Sequence, residues 1–207
     1  MAVILLERAD MIDSSQLSRW YEHAQRDLPW RRPGVTPWQI VVSEFMLQQT
    51  PVARVEPIWL AWVARWPTPS ATAAASAADV LRAWGKLGYP RRAKRLHECA
   101  TVIAEQFDDV VPSDVDTLLT LPGIGAYTAR AIACFAYGQR VPVVDTNVRR
   151  VVARVVHGSA DAAASSSPRD LEEVAAFRAQ SDDGRRQVLC DALEAWGLQL
   201  NSEIQNG

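Results

Sequence analysis

Apolar side chains recur every three or four residues along most of this chain, with polar ones between them, and that period predicts helices. The first runs over Ser14–Arg26, capped at Asp13 or Ser14, with Leu17, Trp20, Tyr21 and Ala24 on one face. Leu28-Pro29-Trp30-Arg31-Arg32-Pro33-Gly34 breaks it. Pro37 opens a second helix reaching Gln49, with Ile40, Val41, Phe45 and Leu47 toward a core. A third follows from Val52 to Trp66, where Pro67 and Pro69 stop it. Ala73–Ala83 predicts a short helix, and Gly85 and Gly88 bracket a turn. Arg91–Gln106 is helical, with Ala93, Leu96, Ala100 and Ile103 in register.

The pattern changes at Leu121-Pro122-Gly123-Ile124-Gly125. Asp114–Leu121 before it is helical, with Val115, Leu118 and Leu119 on one side. Tyr127–Tyr137 after it carries Ala129, Ile132, Ala133 and Ala136 at helical spacing. The unit is helix, tight glycine hairpin, helix. Glycines there let backbone amides point outward together beside a helix N-terminus, which makes a phosphate site without charged side chains. An ordinary helix–helix connection with a C-capping glycine gives the same Gly-x-Gly, so the spacing alone leaves both open. Pro142-Val143-Val144 is extended, and Asn147–Val156 is a helix with Val148, Val151, Val152 and Val155 on one face. The small polar stretch His157–Ser167 is a loop, helix resumes over Pro168–Gln180, and no internal repeat is visible. The fold class is all-α.

Composition narrows this only a little. At 207 residues, 48% hydrophobic and 22% charged, the chain is globular. No apolar run approaches the ~20 residues of a membrane span, and Ala2–Leu6 is too short before Glu7 and Arg8 for a signal peptide, so the cytoplasm is expected. The net charge of −2 argues mildly against nucleic acid as partner. Two local basic clusters pull the other way: Arg91, Arg92, Lys94 and Arg95, and Arg149, Arg150 and Arg154. Cys99, Cys134 and Cys190 share no short spacing and are expected as reduced, buried thiols, with no metal or cluster site encoded. Trp20, Trp59, Trp62, Trp66, Trp84 and Trp196 are expected to pack between helices.

Two carboxylates have settings that suit chemistry. Glu44 lies among Ile40, Val41, Phe45 and Leu47, surroundings that raise a carboxyl pKa and keep it protonated; a helix glutamate facing solvent is the alternative. Asp145 precedes a helix, so an N-cap explains it, and a capping aspartate held ionised by backbone donors is also usable in catalysis.

Three strings, Leu121–Ala129, Val42–Thr50 and Val144–Val151, together resemble the helix-hairpin-helix DNA glycosylase superfamily, and within it the MutY-type adenine glycosylases. The resemblance runs from about Arg26 to about Leu193. It implies two helical domains with a cleft between them: residues 29–143 as a six-helix bundle holding the hairpin, and 1–28 with 144–207 as the second domain, with Asp145 at the junction. It implies removal of adenine mispaired with 8-oxoguanine or guanine from double-stranded DNA, by a monomer acting on the bacterial nucleoid. Glu44 then matches the acid that protonates adenine, and Asp145 the group that stabilises the oxocarbenium carbon. Tyr127 stands where lyases of the superfamily carry a lysine nucleophile, so the resemblance implies a monofunctional enzyme. Gln48, Gln49 and Tyr89 match residues that wedge into the duplex, while Arg26, Leu28 and Trp30 match the wall of the adenine pocket. Gly123 and Gly125, with the amide of Tyr127, match the phosphate clamp, and Arg149 is expected among the DNA contacts.

Two departures qualify this. Pro90 replaces a second tyrosine after Tyr89. After Ala192-Leu193 the family continues into four cysteines that hold a [4Fe–4S] cluster, whereas here Glu194-Ala195-Trp196-Gly197 departs and those ligands are absent. A truncated form, with a frameshift near Leu193 as one cause, is expected, and a DNA-binding helix-hairpin-helix protein with little or no turnover is the second reading.

Overall fold

The structure is a computed structural model in which residues 14–159, 170–172 and 174–175 are described. Those residues form helices and loops only. The chain divides into two compact units, one of Asp27–Tyr137 and the other of Met1–Arg26 with Gly138–Gly207. The order of elements within each follows from its capping residues. In the second of these units, α1 spans Ser14–Ala24, two residues shorter than its pattern predicts. Tyr21 is buried and Trp20 half-buried, but Ala24 is exposed at the frayed end.

In the Asp27–Tyr137 unit, Pro29–Arg31 makes a 3-10 turn that leads to α2, Pro37–Leu47. Thr36 caps α2 by accepting from the Gln39 amide while the Gln39 side chain accepts from the Thr36 amide, a reciprocal capping box worth about 1 kcal/mol. Every residue from Ile40 to Met46 is buried, so α2 is the central helix rather than an amphipathic surface one. Helix α3, Val52–Arg65, packs on α2, and the Trp59 Nε1–H donates to the Gln39 carbonyl at 2.9 Å. Trp62 meets Trp66 and Trp84 edge to face, with centroids 4.8 and 6.1 Å apart. Trp196, the sixth of the expected packing tryptophans, lies outside the described residues, as do Cys190, Leu193 and the segment beyond.

The pattern misjudges one stretch. Ala73–Ala83 is not a single helix: α4 is Pro69–Ala73 and α5 is Ala77–Trp84. Pro69 starts α4 rather than only ending α3, because a proline at the first helical position loses no hydrogen bond and Thr68 caps it. Ser76 then caps α5 by accepting from the Asp79 amide at 3.1 Å, which separates the two. Asp109 completes the start of α4, accepting from the Ser70 amide at 2.6 Å and its hydroxyl at 2.8 Å. A 3-10 turn, Gly85–Leu87, joins α5 to α6, Arg91–Gln106. Helix α7, Val115–Thr120, is capped by Asp114 and buries Leu118, while Leu119 on its expected inner face is exposed. Helix α8, Ala126–Tyr137, packs on α7 and α2. The unit thus holds seven α-helices, the short α4 being the addition to the pattern.

In the other unit, residues 142–144 lie outside any helix with Val143 buried, and α9, Thr146–His157, buries Val148, Val151 and Val152. Gly158, at φ +61°, ends α9 in the left-handed conformation. Residues 170–172 and 174–175 are helical, within the stretch expected to resume helix, and Val174 is buried.

Candidate active site

Glu44 stands at the middle of α2 and is 8% exposed, so the setting is the apolar one and not the solvent-facing alternative. It is flanked by Ser43 and Phe45, both almost fully buried, and Ser43 is satisfied by donating to the Ile40 carbonyl at 2.8 Å. A carboxyl in such a place favours its neutral form unless a partner holds the charge.

The hairpin lies against the same helix. The Ile124 amide donates to the Leu121 carbonyl at 3.2 Å to close the turn, and Gly123 sits at φ +80°, where side chains are strained. A Cβ there would come within 2.8 Å of both the Arg95 Cβ and the Phe45 ring, so the turn docks between α6 and α2. Gly125 is different. Its φ is not positive and a Cβ on it would meet nothing within 4 Å. Its carbonyl accepts from the Ala129 amide at 2.9 Å, which makes it the residue entering α8, and Ala126 and Tyr127 beside it are exposed. The first amides of a helix have no partner within it and form an anion site. Tyr127, at the second position of α8, is 36% exposed.

Gln48 and Gln49 follow the end of α2, the first half-buried and the second exposed. Tyr89 is 63% exposed at the mouth of the turn before α6. Gln49 and Tyr89 both have left-handed backbones, at φ 53° and 46°. Neither conformation is favoured for such residues, and strain of this kind concentrates where a loop must present a side chain. Leu28 and Trp30 are buried, and Trp30 packs edge to face on Trp59 with centroids 5.7 Å apart, whereas Arg26 is exposed at the end of the other unit.

In that other unit Asp145 caps α9. Its Oδ1 accepts from the Val148 amide at 2.7 Å and its Oδ2 from the Asn147 side chain at 2.9 Å. Burial pushes its pKa up from the ordinary carboxylate value, while the Val148 amide, the Asn147 donors and the Arg149 charge work against that rise. The sequence expectation of a carboxylate held ionised by capping therefore captures only the opposing half of the balance. Arg149, expected among the DNA contacts, is itself buried at 9% exposure and bears electrostatically on Asp145.

The other basic cluster also divides. Arg91, Lys94 and Arg95 are exposed, and Lys94 and Arg95 flank Glu98 at 3.8 and 3.1 Å. Arg92 instead turns inward and is half-buried. No spacing signal marks that inversion. Cys99 and Cys134 are buried free thiols, and burial pushes Cys99 up to about 12, so Cys99 is no nucleophile. No group of metal-ligating side chains and no membrane-spanning helix occurs among the described residues.

Comparison with known proteins bears on this arrangement. Residues 42–176 match the model of the HhH-GPD superfamily base excision DNA repair proteins. The chain is 78% identical over 166 residues to an adenine DNA glycosylase of Mycolicibacterium smegmatis, covering 80% of this chain and 56% of that one. It is 44% identical over 147 residues to the human adenine DNA glycosylase, covering 67% of this chain and 27% of the human one. A thermostable thymine-DNA glycosylase of known structure superposes with a TM-score of 0.83 over 92% of this chain and 86% of its own, at 23% identity. The chain spans about half the length of the curated bacterial relatives it matches.

Proposed function

The chain belongs to the HhH-GPD superfamily of base excision DNA repair proteins, and on that premise we propose that it is a monofunctional DNA N-glycosylase that removes adenine mispaired with 8-oxoguanine or guanine. The observation that carries the reading is Glu44, a carboxyl buried at the centre of α2 next to the residue on which the glycine hairpin rests. Breaking the bond between a purine and deoxyribose requires a proton on the leaving base and stabilisation of a cationic sugar. One acid kept neutral and one partner kept ionised meet both needs. Glu44 is the proton donor to adenine. Asp145, with its two capping donors and the Arg149 charge, is the carboxylate that stabilises the oxocarbenium carbon.

The target adenine must leave the stack to be reached, at a cost of a few kcal/mol for unstacking and unpairing. Gln48, Gln49 and Tyr89 fill the gap, and Leu28 and Trp30 receive the base, a role that the family resemblance also gives to Arg26. The amides of Gly123, Gly125 and Tyr127 hold a phosphate, which sets the register of the duplex without reading its sequence. Tyr127 offers no amine for Schiff-base chemistry, so water completes the reaction and the strand is left uncut.

A [4Fe–4S] cluster of the family has no ligand set among the described residues, and none of the steps above requires it. The alternative is a helix-hairpin-helix DNA-binding protein with little or no turnover. Incubation under single-turnover conditions with duplexes carrying adenine opposite 8-oxoguanine or guanine, followed by alkali, separates the two. Alkali-labile sites at the adenine support the glycosylase, and retention of the duplex with no such sites supports the binding protein.

A further inference from the structure

The Arg92 side chain donates to six acceptors, and nothing in the chemistry above uses it. It extends from the first turn of α6 into the junction of two loops. Its Nη1 donates to the carbonyls of Phe45 and Met46, both at 3.1 Å, and to that of Gln48. Its Nη2 donates to the Thr50 hydroxyl at 2.9 Å, to the Leu87 carbonyl at 3.0 Å and to the Gly88 carbonyl at 3.3 Å. The guanidinium lies 5.3 Å from the Trp84 ring centroid and 5.5 Å from that of Tyr89. Thr50 reinforces the link, donating toward both the Gln48 and Leu87 carbonyls at 3.2 and 3.4 Å, and the Trp84 Nε1–H donates to Gly88 at 2.9 Å.

Two things make this more than a half-buried polar network. Its acceptors are five carbonyls and a hydroxyl, with no carboxylate, so the half-buried cation is partly desolvated with no countercharge among these partners. Hydrogen bonds to the chain ends of α2 and of the Gly85–Leu87 turn are what offset that cost. Second, the two loops it joins each carry one strained residue, Gln49 and Tyr89, and such strain persists only where neighbours over-determine the backbone. The strained residues are the ones left exposed, and Arg92 holds the backbone immediately behind both.

We propose that Arg92 is a positioning residue that locks the Gln48–Gln49 loop and the Tyr89 loop into one rigid wedge, so that both enter the duplex in fixed register when the adenine is flipped. This rests on the glycosylase reading, since the wedge is defined by the base it displaces. A planar guanidinium is needed, because a lysine ammonium carries the charge but has three donors and no fork to span both loops.

The test uses the full chain and its Arg92→Ala, Arg92→Lys and Thr50→Val variants. The probe is a duplex with 2-aminopurine at the target position opposite 8-oxoguanine, together with the natural adenine duplex. At saturating protein, Arg92→Ala and Arg92→Lys should both lose most of the 2-aminopurine fluorescence rise. Their single-turnover excision should fall by about 10- to 100-fold, the scale of a 1 Å misplacement, while the dissociation constant moves by less than about threefold. Amide hydrogen exchange should quicken over residues 46–50 and 85–90 and stay unchanged in α8. Thr50→Val should give a smaller change of the same kind, which keeps the proposal testable if Arg92→Ala fails to fold. Flipping and excision at the wild-type level in Arg92→Lys overturn the proposal, because charge alone would then suffice. Unchanged exchange in the two loops overturns it as well. If the wild-type chain itself gives no fluorescence rise, the glycosylase reading fails before any variant is compared.

Discussion

Gly123 and Gly125, two residues apart in one hairpin, should respond oppositely to the same substitution. Gly123→Ala places a methyl on a residue at φ +80°, which costs roughly 1–2 kcal/mol for the left-handed backbone. The methyl also arrives 2.8 Å from the Arg95 Cβ and the Phe45 ring. The Arg95 Cβ belongs to helix α6 and cannot swing away, and Phe45 is fully packed, so overpacking adds about 1–3 kcal/mol. Together these remove about 2–5 kcal/mol, a large share of the ~5–15 kcal/mol by which a domain is held folded. Gly125→Ala meets open space at an ordinary φ. It loses the preference for glycine over alanine at a helix start and gains from a stiffer unfolded chain, so its net effect should lie within about 1 kcal/mol. Its methyl stands where the phosphate would approach the amides. Loss of one charge-assisted hydrogen bond, about 1.5–3 kcal/mol, should weaken duplex binding by about tenfold or more. Urea unfolding followed by the fluorescence of the buried tryptophans gives the stabilities, and fluorescence anisotropy with a labelled duplex gives the affinities. Gly123→Ala within about 0.5 kcal/mol of wild type, or Gly125→Ala as destabilising as Gly123→Ala, would refute the division of roles.

Asp145→Asn should lose excision and gain stability. The native carboxyl has a raised pKa, so below the unfolded value of ~3.9 both states are protonated and the charge costs nothing. As pH rises from there to the native pKa, the unfolded chain ionises first, the native state holds more protons, and stability falls; the deficit persists at pH 7. Asparagine still caps α9, so melting curves should show Asp145→Asn ahead of wild type at pH 7 and level with it near pH 4, with Asp145→Ala below Asp145→Asn by about 1 kcal/mol for the lost cap; a lower melting temperature for Asp145→Asn at every pH would count against burial as the dominant cause. Borohydride added during turnover should trap no covalent protein–DNA species, since Tyr127 stands where a Schiff base would need an amine, and a trapped adduct on denaturing gels would contradict the monofunctional reading.

What the sequence made legible was local. Asp145 before the valine stripe of α9 was readable as a cap, and the capping bonds to Val148 and Asn147 are there. The apolar neighbours of Glu44 signalled its burial. The glycine hairpin was readable from Pro122 and the two glycines, but which glycine the fold requires was not, because the clash at Gly123 comes from Phe45 and Arg95 on other helices. Pro69 was misjudged as a terminator because proline both ends one helix and begins the next, and only Thr68 distinguishes the cases. Arg92 and Arg149 were hidden in basic clusters, which ordinarily mark solvated faces. Arg92 turns in toward acceptors more than 40 residues away, and no feature of the local sequence signals the burial of Arg149. Composition was the least informative guide, since a net charge of −2 argued against the partner that the motifs favour.

The most direct test of Glu44 as the acid is single-turnover excision by wild type and Glu44→Gln on one duplex, with adenine opposite 8-oxoguanine, alongside binding to the same duplex. Glutamine keeps the shape of the side chain and has no proton of comparable acidity to give. The expected result is wild-type affinity with excision reduced by about 10²–10⁴-fold, the range of general acid catalysis. Excision by Glu44→Gln at close to the wild-type rate would contradict the assignment on which the mechanism stands.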